Sequence, residues 1–507
     1  MKWLQALCAV ICLALAACSD TGNGADDEQV LRVGVASLPS SLGNPYRGNG
    51  RPGSLLWHAI FDGLTRLDFE GDPEPALAVE WELVSPTVWR FTLREGVRYS
   101  NGRPFDADAV VEVFEWLATP EGRRNLIGIE MRDIVAVRAI DTLTVEFETA
   151  RPDPILPRRL VTVNMVEPRA LQEMGLDAYS RAPVGTGAFI MTRWDQRRRH
   201  LTLERNPDSW RESSLDRLIF LELPSSSGRT QALLSGDVDF ALIDLEEMDR
   251  LERGGFPILS TPSMQVKAYT FRVEGSSENS PVRDVRVRQA LNYAVDKHAI
   301  SALLPGGAVP SGQPAPRGVF GHDPLIEPYP YDPDRARALL AEAGWPDGFE
   351  LTMEVLTDAA PGDDLMTQAV AEYWRQVGVN TRLRIVTLPE YLNRLLTNNW
   401  RGDAFALSWN SFQYNDITRA MNDFSCGRFV PYFCDEAITQ EFQAARVLHD
   451  EAARLEAYQE LARAYRDAAP SVFLVEHRDL FAYAPYVDGV RIRHRVPVYE
   501  EITLQRP

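Results

Sequence analysis

The chain has 507 residues, 45% of them hydrophobic and 25% charged, with a formal net charge of -19. That length can bury a large core and implies more than one domain or lobe. The acidic balance excludes a nucleic-acid binder and a polybasic membrane patch, since both need a basic surface against phosphate. The seven histidines are scattered without HExxH-like spacing, so no metal site and no cofactor is predicted.

The first element in chain order is an export signal. Lys2 supplies the positive start, and Trp3 to Ala17 is apolar except for Gln5. The run is too short for a comfortable membrane span and has the flanks of a cleaved signal. Leu15-Ala16-Ala17-Cys18 resembles the bacterial lipobox, in which the cysteine is lipidated and becomes the first mature residue. The resemblance implies a signal peptide over 1–17, lipidation at Cys18 and a flexible tether over 18–28. An ordinary signal with a chance cysteine is the alternative. Several acyl chains anchor a protein stably, whereas one does so only marginally. No second apolar run of spanning length follows, so the mature body reads as soluble. It is expected on the periplasmic or cell-surface side, anchored to a membrane. Cys8 and Cys12 leave with the signal, and only Cys426 and Cys434 remain in the body. An even pair in an exported chain reads as one disulfide, which adds about 2–3 kcal/mol by restricting the unfolded chain. A metal site is the alternative, although no histidine lies near the pair.

Strand and helix patterns then alternate without repeats. Trp89, Phe91 and Leu93 alternate with Arg90, Thr92 and Arg94, as in a half-buried strand. Asn101-Gly102 predicts a tight turn, and Asp106 an N-cap ahead of Val110, Val113, Phe114 and Leu117 at helical spacing. Leu143, Val145 and Phe147 predict another strand. Val287, Ala290, Leu291, Ala294 and Val295 fall on one helical face. Asp332-Pro333 starts a helix that Gly344 stops. Met366, Val370, Tyr373, Trp374 and Val377 form a further stripe closed by Gly378. Asp435 to Asp467 reads as mainly helical, and Val472 to Val475 as a buried strand. This mixture is α/β or α+β.

Six segments carry a resemblance. They are Trp89–Phe105 with Ala107-Asp108; Pro183-Val184-Gly185-Thr186-Gly187; Leu203–Pro207; Leu233–Asp239; Asp284–Asp296; and Tyr331-Asp332-Pro333 leading to Leu339–Trp345. In this order they are similar to the extracellular solute-binding proteins of peptide and nickel ABC importers, family 5. The resemblance implies a two-lobed periplasmic-binding-protein-like fold (class II, cluster C type) with an extra subdomain in the first lobe. Residues 29–56, 180–260 and 472–507 would form the first-lobe core, 57–179 the extra subdomain and 261–471 the second lobe. It also implies a monomer that encloses a small-molecule or peptide ligand between its lobes and delivers it to an ABC permease. Gly96, Gly102, Gly185 and Gly187 are expected at turns or close backbone approaches. No P-loop lysine follows the last two, so a phosphate cradle is rejected. Arg286 and Arg288 are expected to pair with carboxylates such as Asp284.

The same resemblance points to ligand contacts. In the first lobe, Asn44 and Asn49 sit in an opening loop rich in glycine and asparagine. In the second, Trp409 to Asp416 matches the segment that carries ligand contacts in peptide binders. It offers Trp409 as a wall and Gln413, Asn415 and Asp416 as polar candidates, with Tyr391 as a second aromatic wall. Hydrophobic core is the competing reading for both aromatics. Peptide binders place an aspartate shortly after the matching tryptophan, to pair with the ligand's α-ammonium. Here Phe412 or Gln413 stands there and Asp416 is displaced. Either Asp416 takes that role or the ligand lacks a free α-amino group. No histidine in the segment meets a nickel chelate.

An oligosaccharide or modified-peptide binder is the near alternative, and an exported hydrolase the one from another class. No G-x-S-x-G elbow and no zinc motif support the hydrolase, so no catalytic residue is predicted. A chaperone or sensory role on the same fold is a third class.

Overall fold

The computed structural model describes residues 28–48, 50–304, 306–356, 362–427 and 431–506. Among them, a strand with one fully buried face founds the first lobe. Leu31, Val33 and Val35 are buried within Val30–Val35, which pairs in parallel with Arg217–Glu222 on one side and Phe240–Ile243 on the other. Antiparallel strands His200–Arg205 and Phe189–Asp195 extend the sheet beyond Arg217–Glu222.

Two long antiparallel strands carry this sheet into the second lobe. Ile258–Phe271 and Ser471–Tyr483 pair from Ile258 opposite Ala482 to Thr270 opposite Ser471. At the first-lobe end Ser471–Tyr483 joins Phe240–Ile243, and at the other end Ile258–Phe271 joins Ala404–Ala406. Phe349–Val355 and Val379–Ile385 then finish the sheet in parallel. Twelve strands among the described residues thus form one sheet through both lobes. The crossing pair slips register between Pro262 and Val266, where Met264 takes φ 54°. A bulge there bends the strand between lobes. The boundaries expected at 260/261 and 471/472 fall inside these two strands.

A separate antiparallel sheet, Ala78–Ser85, Val88–Leu93, Thr144–Thr149 and Ile134–Asp141, projects from the first lobe. Phe91, Val145 and Phe147 form its buried face against the helix Ala107–Ala118, with Phe114 edge-on to Phe147 at 4.9 Å. Its outer face is charged, with Arg90 paired to Glu146 (2.6 Å) and Glu82 (3.0 Å). Asp106 caps the helix by accepting from Ala109 N (2.9 Å), and Gly102 makes its turn at φ 84°. Asp332 caps Pro333–Glu342 in the same way (2.8 Å from Arg335 N), with Gly344 at φ 92° beyond its end.

Gly185 and Gly187 serve close approach. A Cβ there would lie 2.2 Å from Ile60 O and 2.5 Å from Ala59 O. Asp284 pairs with Arg286 (2.6 Å), but Arg288 departs from expectation. It is buried and donates to the carbonyls of Ala468 (2.7 Å), Val282 (3.0 Å) and Arg283 (2.9 Å). The helix Glu451–Ala468 ends there with carbonyls that lack helical partners, and a guanidinium supplies the donors. Burial lowers the pKa of Arg288 to about 10.

Cys426 and Cys434 are joined, with Cα atoms 4.6 Å apart. Thiol labelling of the denatured, unreduced mature protein is therefore expected to show neither residue reactive. Two labelled thiols would contradict the bond.

Candidate ligand cavity between the lobes

The segment after Trp409 carries second-lobe residues to the first lobe. Trp409–Asn410 pairs with Val266 and Gln265 on the crossing strand, and Ser411 N donates to Met264 O (3.1 Å). Trp409 is absorbed by the core. Its ring stacks on Phe424 at 3.6 Å, meets Phe473 edge-on at 5.1 Å, and its Nε1 donates to Ser471 Oγ (3.0 Å). This packing fixes where the following residues emerge. Phe412 and Gln413 roof a cavity whose other walls come from the first lobe.

The cavity measures about 110 Å³. Trp57, Phe61, Leu67, Val161 and Val496 give it apolar walls. An apolar cleft with a few placed polar groups is the usual form of a ligand site. Its charged floor is internally paired. Asp62 binds Arg211 (2.9 Å), Thr186 Oγ1 (2.7 Å) and Trp210 Nε1 (3.0 Å), and Arg211 also binds Glu500 (2.8 Å). Burial would raise Glu500, but Arg211 holds it below the usual carboxylate range.

Polar contacts close the lobes beside the cavity. Tyr414 OH donates to Glu130 Oε2 (3.1 Å), and Arg419 lies 3.5 Å from Glu130. Asn415 Nδ2 donates to Gly71 O (3.2 Å) across the lobes and to Gly318 O (2.9 Å). Asn415 sits at φ 51°, a region asparagine tolerates. Arg158 reaches Asp72 (2.7 Å) and Tyr414 O (3.4 Å). Glu130→Ala is expected to loosen this closure. Small-angle scattering of the variant as purified would show a larger radius of gyration than wild type, and identical curves would deny the clasp its role.

Other expected contacts fall elsewhere. Asp416 is fully buried outside the cavity lining. Its Oδ1 accepts from Thr418 N (2.9 Å) and Thr418 Oγ1 (2.6 Å), and burial raises its pKa. It shapes the entry to the helix Thr418–Asp423. Tyr391 donates to Ala406 O (3.0 Å), stands edge-on to Trp400 and lines a different, second-lobe cavity with Lys267 and Asp363. Asn44 is buried, and its Oδ1 accepts from Tyr46 N (3.0 Å) to hold the opening loop. Asn49 and Cys18 lie outside the described residues. Of the expected contacts, the structure thus brings Gln413 to the interlobe cavity. Sequence reasoning missed Trp57, His58, Asp62, Arg211 and the 493–500 segment. The motif threonine Thr186 was the one local sign, because its hydroxyl binds Asp62.

A ligand cavity at the junction of two lobes, crossed by a shared pair of strands, defines a two-lobed binding protein of the periplasmic type. Solved structures agree in fold. The Listeria monocytogenes ABC transporter substrate-binding protein CtaP superposes with TM-score 0.82 at 18% identity, covering 95% of this chain and 100% of that one. The Helicobacter pylori periplasmic binding protein DppA, in complex with the peptide STSA, gives TM-score 0.78 at 21% identity over 94% and 98%. The chain belongs to the bacterial extracellular solute-binding proteins, family 5, whose middle-region model matches residues 72–429. Among curated relatives, the Salmonella typhimurium periplasmic oligopeptide-binding protein OppA is 28% identical over 82% of this chain and 81% of its own. The Haemophilus influenzae heme-binding protein A is 29% identical over 64% of each chain, so the match spans under two thirds of that relative.

Proposed function

We propose that this protein is an extracytoplasmic receptor that captures a peptide or peptide-like ligand between its lobes and delivers it to an ABC permease. The observation that carries the reading is the cavity itself, with first-lobe walls, a roof of Phe412 and Gln413, and interlobe bonds through Tyr414 and Asn415 beside it. Such bonds form only when the lobes meet, so ligand capture and closure are one event. The relatives that bind oligopeptides and dipeptides support the ligand class. Phe412 and Gln413 are the second-lobe contacts in this reading, and Trp409 positions them. Cys18 is the proposed lipid anchor, and the mature body the periplasmic or surface domain that it tethers. The protein works as a monomer, because each lobe completes the other's cavity.

Native mass spectrometry of freshly purified protein tests the function. A closed cleft is expected to retain a peptide-sized adduct that denaturation releases. Apo protein that also fails to bind any member of a mixed peptide library would overturn the reading.

A further inference from the structure

His58 stands at the last turn of the helix Gly53–Ile60 and lines the interlobe cavity. Its neighbours Trp57 and Ala59 are buried, whereas His58 is exposed at the cavity lining. Its Nδ1 lies 2.9 Å from Ser54 O. A carbonyl oxygen can only accept, so Nδ1 carries the hydrogen and the neutral ring keeps its lone pair on Nε2. His58 thus presents a fixed, uncharged acceptor to the cavity.

The charges around it leave no anion to spare. Asp62 and Glu500 share Arg211, and Glu74 takes Arg66 (2.6 Å) and Arg493 (3.7 Å). Both carboxylates that line the cavity are therefore engaged by an arginine. Asp416, the aspartate nearest in sequence to the roof, is covered and engaged by Thr418. An ammonium entering this cavity would lose water without gaining a counter-charge, whereas a neutral amide N–H would find an acceptor.

We infer that the cavity selects ligands whose inserted end is an uncharged N–H donor, as in an N-acylated or cyclised peptide, with His58 Nε2 accepting that hydrogen. This rests on the peptide reading above and narrows it. His58 is a specificity-determining contact, and Arg211 beneath it engages both floor carboxylates.

Calorimetry on the full mature protein with trileucine amide and N-acetyl-trileucine amide tests it at pH 7.5. The acetylated peptide is expected to bind at least tenfold more tightly. His58→Leu is expected to remove most of that preference, with an unchanged melting curve. His58→Gln, which retains an acceptor, is expected to restore part of it. Equal or tighter binding of the free amine overturns this inference and leaves the peptide reading intact. So does a preference that survives His58→Leu. Failure of both peptides, together with failure of the mixed library, overturns the peptide reading and this inference with it.

Discussion

Asp479→Ala is expected to destabilise the junction between the lobes by about 3 kcal/mol or more, the usual cost of removing one partner from a buried ion pair. Asp479 lies on the crossing strand Ser471–Tyr483 and is nearly fully buried. It binds Arg51 from the opening loop (2.6 Å) and Arg495 from the C-terminal segment (2.7 Å). Arg495 in turn lies 5.0 Å from the ring centre of Phe412, the cavity roof. Removing the carboxylate leaves two half-buried guanidinium groups without their shared anion. It also frees the cation that supports Phe412. Urea unfolding should show an earlier transition, and ligand affinity should fall with it. A variant with wild-type unfolding would show that water replaces the carboxylate without loss. Burial alone would raise the pKa of Asp479, but Arg495 and Arg51 overcome it and hold the group well below its ordinary value. The stabilisation is therefore complete above the unfolded value, about pH 4. It is lost as pH falls below that value and through the lower folded one.

Cys18→Ala is expected to release the protein from the membrane altogether. The Leu15-Ala16-Ala17-Cys18 run offers one thiol for the lipidation proposed above. The binding of acyl chains grows by about 0.8 kcal/mol per buried methylene. In detergent phase partitioning, wild type should enter the detergent phase and the variant the aqueous phase. A variant that still partitions like wild type would refute attachment at this residue.

What the sequence made legible was local. Asp106 and Asp332 cap helices by reaching three residues ahead, and Asp284 meets Arg286 two residues away. Such partners are fixed by chain geometry. Arg288 was misread because its carbonyl partner at Ala468 is 180 residues distant and becomes available only where another helix ends. The site failed for the same reason. Trp409 looked like a pocket wall, but Phe424 and Phe473 enclose it. Asp416 looked like a ligand anchor, but Thr418 occupies one of its oxygens. Conversely, nothing around His58 or Glu500 marked them, since their cavity is assembled from five separate stretches of chain. The family pattern located the folding units because its motifs are mostly structural. It carried less about the ligand, because the ligand walls lie between those motifs.

The pairing of Thr270 with Ser471, supported by the bond from Phe271 N to Pro470 O (2.9 Å), has a genetic reading. Everything from residue 272 to residue 470 leaves and rejoins the host at one place. Its two ends are one strand spacing apart, about 4.8 Å. A folded insert with adjacent ends can be exchanged without disturbing its host. Recombination at this point would replace Phe412 and Gln413 as a block and leave the opposite wall, from Trp57 to Val498, as it was. New ligand preferences would then arise by swapping half a binding site in one event, with no need to rebuild the other half.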